Sequence, residues 1–249
     1  MSVYEFIYVA MIGLCTGSFI GLVVDRLPVG RSLHWERSRC PDCDHVLALR
    51  DLLPVVGWLA NRGRCRFCGG AIGFRYPLIE IGAGAIAVWS FAVLPGWLAW
   101  ASCGLGWMLL AMSLIDARHL YLPNRLTLPL IPAGLAVAWA VDPDKLLGHG
   151  VGAVAGYTLV LVLAETYRRL RGREGIGMGD AKLLAAAGAW VSWQGLPSII
   201  VLAAGASLLV ALVHAALARR SMIHQEFPFG PYLSLALWLV WLYGPVSLG

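Results

Sequence analysis

Two kinds of side chain in this 249-residue sequence stand where they could do chemistry. The first is a pair of acids. Asp116, in "MSLIDARHLYLPN", and Asp180, in "GIGMGDAKLL", each sit where a long apolar run meets a charged loop. Carboxylates in such places cost free energy and are candidates for function. One ionised carboxylate can take a proton from water, while a protonated neighbour hydrogen-bonds the carbonyl under attack and later protonates the leaving nitrogen. The negative end of a helix repels a carboxylate, which suggests Asp116 as holder of the shared proton and Asp180 as the base. Each acid also has a plain structural reading. Asp180 is a good N-cap for a helix starting at "AKLLAAAGAW", and Asp116 could pair with Arg118 or stand solvated at the interface. The cap explains the acid but not the glycines at 175, 177 and 179, which leave one face of an extended backbone open to another chain. Lys182, two residues on, either biases the pair and anchors a substrate carbonyl or snorkels to the headgroups. His119 makes a lone D-x-x-H, a weak metal signal.

The second kind is a set of thiols. Cys40 and Cys43 in "CPDC", and Cys65 and Cys68 in "CRFC", form two C-x-x-C turns at a spacing that reads as a four-thiolate zinc site. Four protein ligands leave no open position, so the metal is structural. The alternative is two disulfides, which a reducing compartment disfavours. A segment this short has little core of its own, so the ion would supply much of its folding free energy. The glycines directly after the second turn, in "CRFCGG", suit a tight bend. Cys15 and Cys103 lie in apolar runs and read as packing residues.

The elements that must carry these groups are membrane helices. The chain is 59% hydrophobic and 13% charged, with mean hydropathy +0.73, and lipid leaves no partner for unpaired backbone groups. The expected fold is all-α and polytopic. About eight transmembrane helices are expected near 4–24, 77–94, 96–115, 126–141, 148–167, 180–192, 195–218 and 229–247. The first run opens with Glu5 and no basic stretch, which argues for a retained span instead of a cleaved signal. Three regions follow: a first helix over 1–25, a cysteine-bearing loop over 26–75, and a membrane domain over 76–249. Arginines crowd alternate loops (nine of them between Arg26 and Arg75, then Arg118 and Arg125, the cluster 168–173, and Arg219 and Arg220). By the positive-inside rule those loops face the cytoplasm and both termini face outward. Both acids and the cysteine loop then lie on the cytoplasmic side. The net charge of +5 is explained by anionic lipid, and nucleic-acid binding is excluded because the basic residues follow topology.

These motifs resemble one family, the bacterial type IV prepilin peptidases. The resemblance rests on "GSFIGLVVDRLP" (17–28), "SRCPDC" (38–43), "DLLPVVGWLANRGRCRFC" (51–68), "RYPLIE" (75–80), "LIDARHLYLPNRLTLPL" (114–130), "GREGIGMGDAKLLAAAGAW" (172–190) and "PFGPYL" (228–233). It implies an aspartic membrane protease of the GxGD kind with Asp116 and Asp180 as catalytic pair. The substrate would be a prepilin or type II secretion pseudopilin, cut on the cytoplasmic side after the glycine ending a basic leader. It further implies methylation of the new amino terminus from S-adenosylmethionine, with the cysteine loop linked to that step. Gly63 stands where the family has a glycine implicated in methylation. Location in the bacterial inner membrane follows. Gly177 and Gly179 would let an extended substrate approach, with Lys182 beside them.

The chain departs from the family at Gly21 and Leu52, where asparagine is common, and at Asn124, where aspartate is. None of these touches the acid pair. Two rivals stay open from residues alone. One is a proton-coupled transporter using both acids as relays, which their edge positions oppose. The other is a noncatalytic assembly factor that docks through its zinc loop.

Overall fold

The computed structural model describes residues 3–33, 37–172, 177–218 and 228–246. Its helices are α1 (Val3–Arg26), the short α2 (Val56–Ala60), α3 (Arg75–Val93), α4 (Gly96–His119), α5 (Asn124–Val141), α6 (Leu146–Arg171), α7 (Met178–Ala218) and α8 (Gly230–Tyr243). Six of them are long and apolar enough to cross a membrane, and α8 is a shorter apolar helix. Among the described residues the only β-pairing is two isolated bridges in the cysteine loop. The chain divides into two compact units, Met1–Trp107 and Met108–Gly249, with α4 running from one into the other.

In the first unit α1 and α3 meet through small residues. A Cβ on Gly13 would come within 2.7 Å of Gly84 Cα, and one on Gly17 within 2.5 Å of Glu80 Cα. Such close backbone approach is how helices pack where lipid removes the hydrophobic drive between them. Polar groups inside this unit find partners: Trp107 Nε1 donates to Ala83 O and Ser90 bonds Ser102.

In the second unit α7 is not one rod. Ser192 sits at φ 64°, ψ 171°, a region almost confined to glycine. Gly148, Gly152 and Gly156 of α6 lie against Ser192, Gly188 and Leu184, so α6 runs antiparallel to the limb 178–191. Ala155, Leu159 and Val162 of α6 nevertheless share one cavity with Trp193, Leu196 and Ile200. A straight helix would carry residue 196 about 18 Å beyond residue 184, away from that part of α6. A Cβ on Gly195 would also lie 2.9 Å from Val191 Cβ, where residues four apart on a helix stand about 5–6 Å apart. The chain therefore folds back at Ser192. This is why the sequence reads as two apolar segments, 180–192 and 195–218, where the helix is formally continuous. His149 caps the reversal: its Nδ1 donates to Ala189 O at 2.9 Å, an acceptor at the end of the first limb.

The remaining packing sets direction. Trp190 Nε1 donates to Leu130 O, and Lys182 Nζ to Asn124 Oδ1 at 2.7 Å, so α5 runs parallel to the limb 178–191. The end of α4, the start of α5, the end of α6 and the start of α7 thus share one end of this unit. Arg118, Arg125, Arg168, Arg169 and Arg171 belong to that end, and Asp142, Asp144 and Lys145 to the other.

Candidate functional site

Both acids lie at the arginine-bearing end of the second unit. Asp116 occupies the last turn of α4, which stops when Leu120 enters the left-handed region at φ 54° while donating to Asp116 O. Its side chain is 6% exposed, and its Oδ2 accepts the Gly230 N–H at 3.0 Å from the first residue of α8. Asp180 is the third residue of α7. It lies inside the first turn, not at the cap, with its N–H donated to Gly177 O. The residue before it, Gly179, abuts Leu122, which also abuts Gly230 beside the Asp116 carboxyl. The structure thus brings together two residues that are far apart in the chain.

Leu122, in the turn between α4 and α5, connects the two sides. It is 7% exposed. A Cβ on Gly179 would stand 2.9 Å from Leu122 Cβ, and one on Gly230 would stand 3.3 Å from Leu122 Cδ2 and 2.7 Å from Asp116 Oδ2. The bare Cα of Gly179 therefore faces Leu122. Gly177 is exposed, and the atom nearest to where its Cβ would stand is Asp180 Oδ2, at 3.5 Å. Gly175 lies outside the described residues. Lys182 is held by Asn124, a partner that composition did not suggest. His119 is exposed beside Tyr121. Nothing in the sequence marks Leu122, whereas Gly230 stands in "PFGPY", a broken backbone that reads either as cavity lining or as a plain helix start. The available signal was a glycine between two prolines at a helix start.

The cysteine segment belongs to the first unit and is built from two copies of one turn. Arg39 bridges Val46 and Arg64 bridges Ala71. Within each turn the first cysteine receives an N–H at its carbonyl from the residue after the second, Asp44 to Cys40 and Gly69 to Cys65. That residue is left-handed in both, Asp44 at φ 55° and Gly69 at φ 73°. The four Sγ atoms lie within 4.8 Å of one another, with Cys40–Cys68 at 3.8 Å and Cys43–Cys65 at 4.0 Å. A tetrahedron of thiolates about 2.3 Å from a zinc ion has edges of roughly 3.8 Å, so the donor set fits a metal ion. All six cysteines are free. The N–H groups of Cys68 and then Phe67 pull the Cys65 thiol down to about 7. Although it accepts the Gly70 N–H, Cys68 is pushed up to about 12, with Cys43 beside it the chief opposing cause. Ionising all four together would therefore call for a cation between them.

Gly63 is buried at φ 67°, and a Cβ there would stand 2.7 Å from the Trp58 ring. Trp58 Nε1 in turn donates to Ile72 O, and Ile72 N–H to Gly63 O. Gly63 is thus the point where α2 closes on the second cysteine turn. Glu80, buried in α3, accepts the N–H of Val55 at 2.7 Å, where Val55 is strained at φ 59°.

The family model for the Bacterial Peptidase A24 N-terminal domain matches residues 11–94, and that for the Type IV leader peptidase family matches residues 103–213. A prepilin leader peptidase/N-methyltransferase from Burkholderia pseudomallei is 40% identical over 253 residues, covering 91% of this chain and 82% of that protein. The chain belongs to the type IV leader peptidase family. Proteins of the same description from Aeromonas hydrophila (35% identical, 96% of this chain, 91% of that protein) and Pseudomonas aeruginosa (36%, 94% and 89%) are similarly related. No solved structure matches the chain. The resemblance read from "LIDARHLYLPN", "GMGD" and the paired cysteines is thereby established as membership of this leader peptidase family.

Proposed function

We propose that this protein is a membrane aspartic endopeptidase that removes the basic leader of a prepilin or pseudopilin after glycine and then methylates the new amino terminus. The observation that carries the reading is the meeting of Asp116 and Asp180 at one end of the second unit. Water between them would attack the scissile carbonyl, losing its proton to the ionised carboxylate while the protonated one hydrogen-bonds the carbonyl oxygen. Collapse of the tetrahedral intermediate breaks the C–N bond and gives the leaving amine a proton. The exposed backbone at Gly177 offers an edge for an extended substrate, and Gly179 and Lys182 hold that edge in place through Leu122 and Asn124. The arginines sharing this end support a cytoplasmic location, against anionic lipid, with both termini periplasmic.

The free amine made by cleavage would be the nucleophile for methyl transfer from S-adenosylmethionine, its nitrogen bonding the methyl carbon as the C–S bond breaks, with the neutral thioether leaving and one N–H proton lost to water. We assign the cysteine segment, with zinc on Cys40, Cys43, Cys65 and Cys68, to this second step, and Gly63 to its support. The ion would be structural, holding the two turns together.

The test uses purified full-length protein in detergent with a prepilin, with and without S-adenosylmethionine, read by mass spectrometry. Asp116→Asn and Asp180→Asn should each lower cleavage by about 10²–10⁴-fold, yet leave methylation of an already mature pilin. Cleavage surviving in either variant would overturn the two-acid mechanism.

A further inference from the structure

A third helix end reaches the acid pair. We infer that Gly230 and Leu122 are positioning residues for proteolysis: the Gly230 N–H fixes the orientation of Asp116, and the Leu122 side chain sets the spacing between the elements that carry the two acids. The inference rests on the two-acid reading above and deepens it.

Asp116 ends a helix, so its own backbone offers its side chain no donor, and the α4 macrodipole opposes a charge there. The first turn of α8 supplies the missing donor from 114 residues away, with Gly230 N at 3.0 Å from Asp116 Oδ2. An N–H can only donate, so it occupies Oδ2 and leaves the other oxygen for the proton and water that the reaction exchanges. The approach demands glycine. A Cβ at 230 would stand 2.7 Å from Oδ2 and 3.0 Å from Cγ of Asp116, inside contact distance of the group it must orient. Phe229 and Pro231 flank it, and Pro231, in the first turn of α8, lacks a competing N–H.

Leu122 explains why two glycines are needed on opposite sides. Gly230, on the Asp116 side, and Gly179, next to Asp180 in sequence, both abut its side chain. A single buried leucine thus sits against the backbone on both sides of the pair. Its size then becomes a gauge of their separation.

Kinetics on the full-length enzyme in detergent test this. Replacing the Phe229–Gly230 amide by an ester removes the N–H and adds no atom. It should lower kcat about 10-fold with KM within about 2-fold, as expected for the loss of a hydrogen bond that orients a catalytic carboxyl group. Gly230→Ala should lose about 100-fold, the cost of a catalytic group displaced by an ångström. Adding Leu122→Ala to Gly230→Ala should recover activity by about 3-fold or more, because α8 gains room to withdraw. A structural role alone does not give recovery from a second cavity-making change. An ester variant with wild-type kcat, or a double variant worse than Gly230→Ala, overturns the inference. Should Gly230→Ala not fold, as judged by thermal melting, the ester alone decides. If Asp116→Asn or Asp180→Asn still cleaves, the underlying mechanism fails; if both are dead while the ester is fully active, only the positioning role fails.

Discussion

The cysteine turns and the acid pair are both convergent sites, and they are built in opposite ways. Each cysteine turn is complete within a few residues: a bridge, a carbonyl that receives one N–H, and one left-handed residue. The two copies then need only a cation to join them. The acid site has no local unit. Its parts come from the end of α4, the turn after it, and the starts of α7 and α8, and what holds them is backbone packed on glycine. A locally built thiol site of this kind should fail when a bound ion is withdrawn. A site built from distant helix ends fails when one helix cannot approach its neighbour.

The largest effect that separates the two should come from the acids themselves, the 10²–10⁴-fold loss of cleavage already described. Next is metal removal. Chelation, or Cys65→Ser, should bring zinc below half an ion per chain by elemental analysis and reduce methyl transfer about 10-fold or more, with cleavage affected less. Cleavage and methylation falling together would erase the contrast. The same site has a pH signature. The thiols facing one another push Cys68 up to about 12 and burial raises Cys43, while backbone N–H groups pull Cys65 down to about 7. Zinc uptake at neutral pH should therefore release about two or more protons; affinity should already fall with pH through neutrality, and more steeply once Cys65 protonates below about 7. Calorimetry in two buffers of different ionisation enthalpy measures this.

Gly188→Val tests the packing side. A Cβ there would stand 2.1 Å from Gly152 C, so the variant should lose about 1–3 kcal/mol or more in a denaturation assay, with zinc content unchanged. The smallest effect runs the other way. Ser192→Gly relieves a backbone strained at φ 64° and should stabilise the protein by about 1 kcal/mol, read as a rise in melting temperature.

How far each site could be read in advance follows the same division. The thiol cluster was legible because both pairs, their spacing and the glycines after "CRFC" lie in one stretch. The break in α7 was legible too, since the apolar pattern falters around "VSWQGLP" and favours two segments. Asp116 and Asp180 stood out as acids in apolar company, yet their partners did not. The Gly230 N–H, the Leu122 wedge and the His149 cap on Ala189 are contacts across tens of residues, and no local propensity encodes which helix ends meet. Gly179 shows the limit from the other side. Its lack of a side chain was visible, but not that Leu122 would fill the space.

The reversal at Ser192 also limits reach. The limb 178–191 and α8 are each 14 residues long, or about 21 Å, against a hydrocarbon layer of about 30 Å. If both cross the bilayer, two neighbouring helices this short would impose a mismatch for thinner lipid or penetrating water to absorb. Taken up at the end where both helices begin, that shortfall would form a dimple in the bilayer. Through it the hydrolytic water and a leader's charged stub could reach the carboxylates without any helix moving aside.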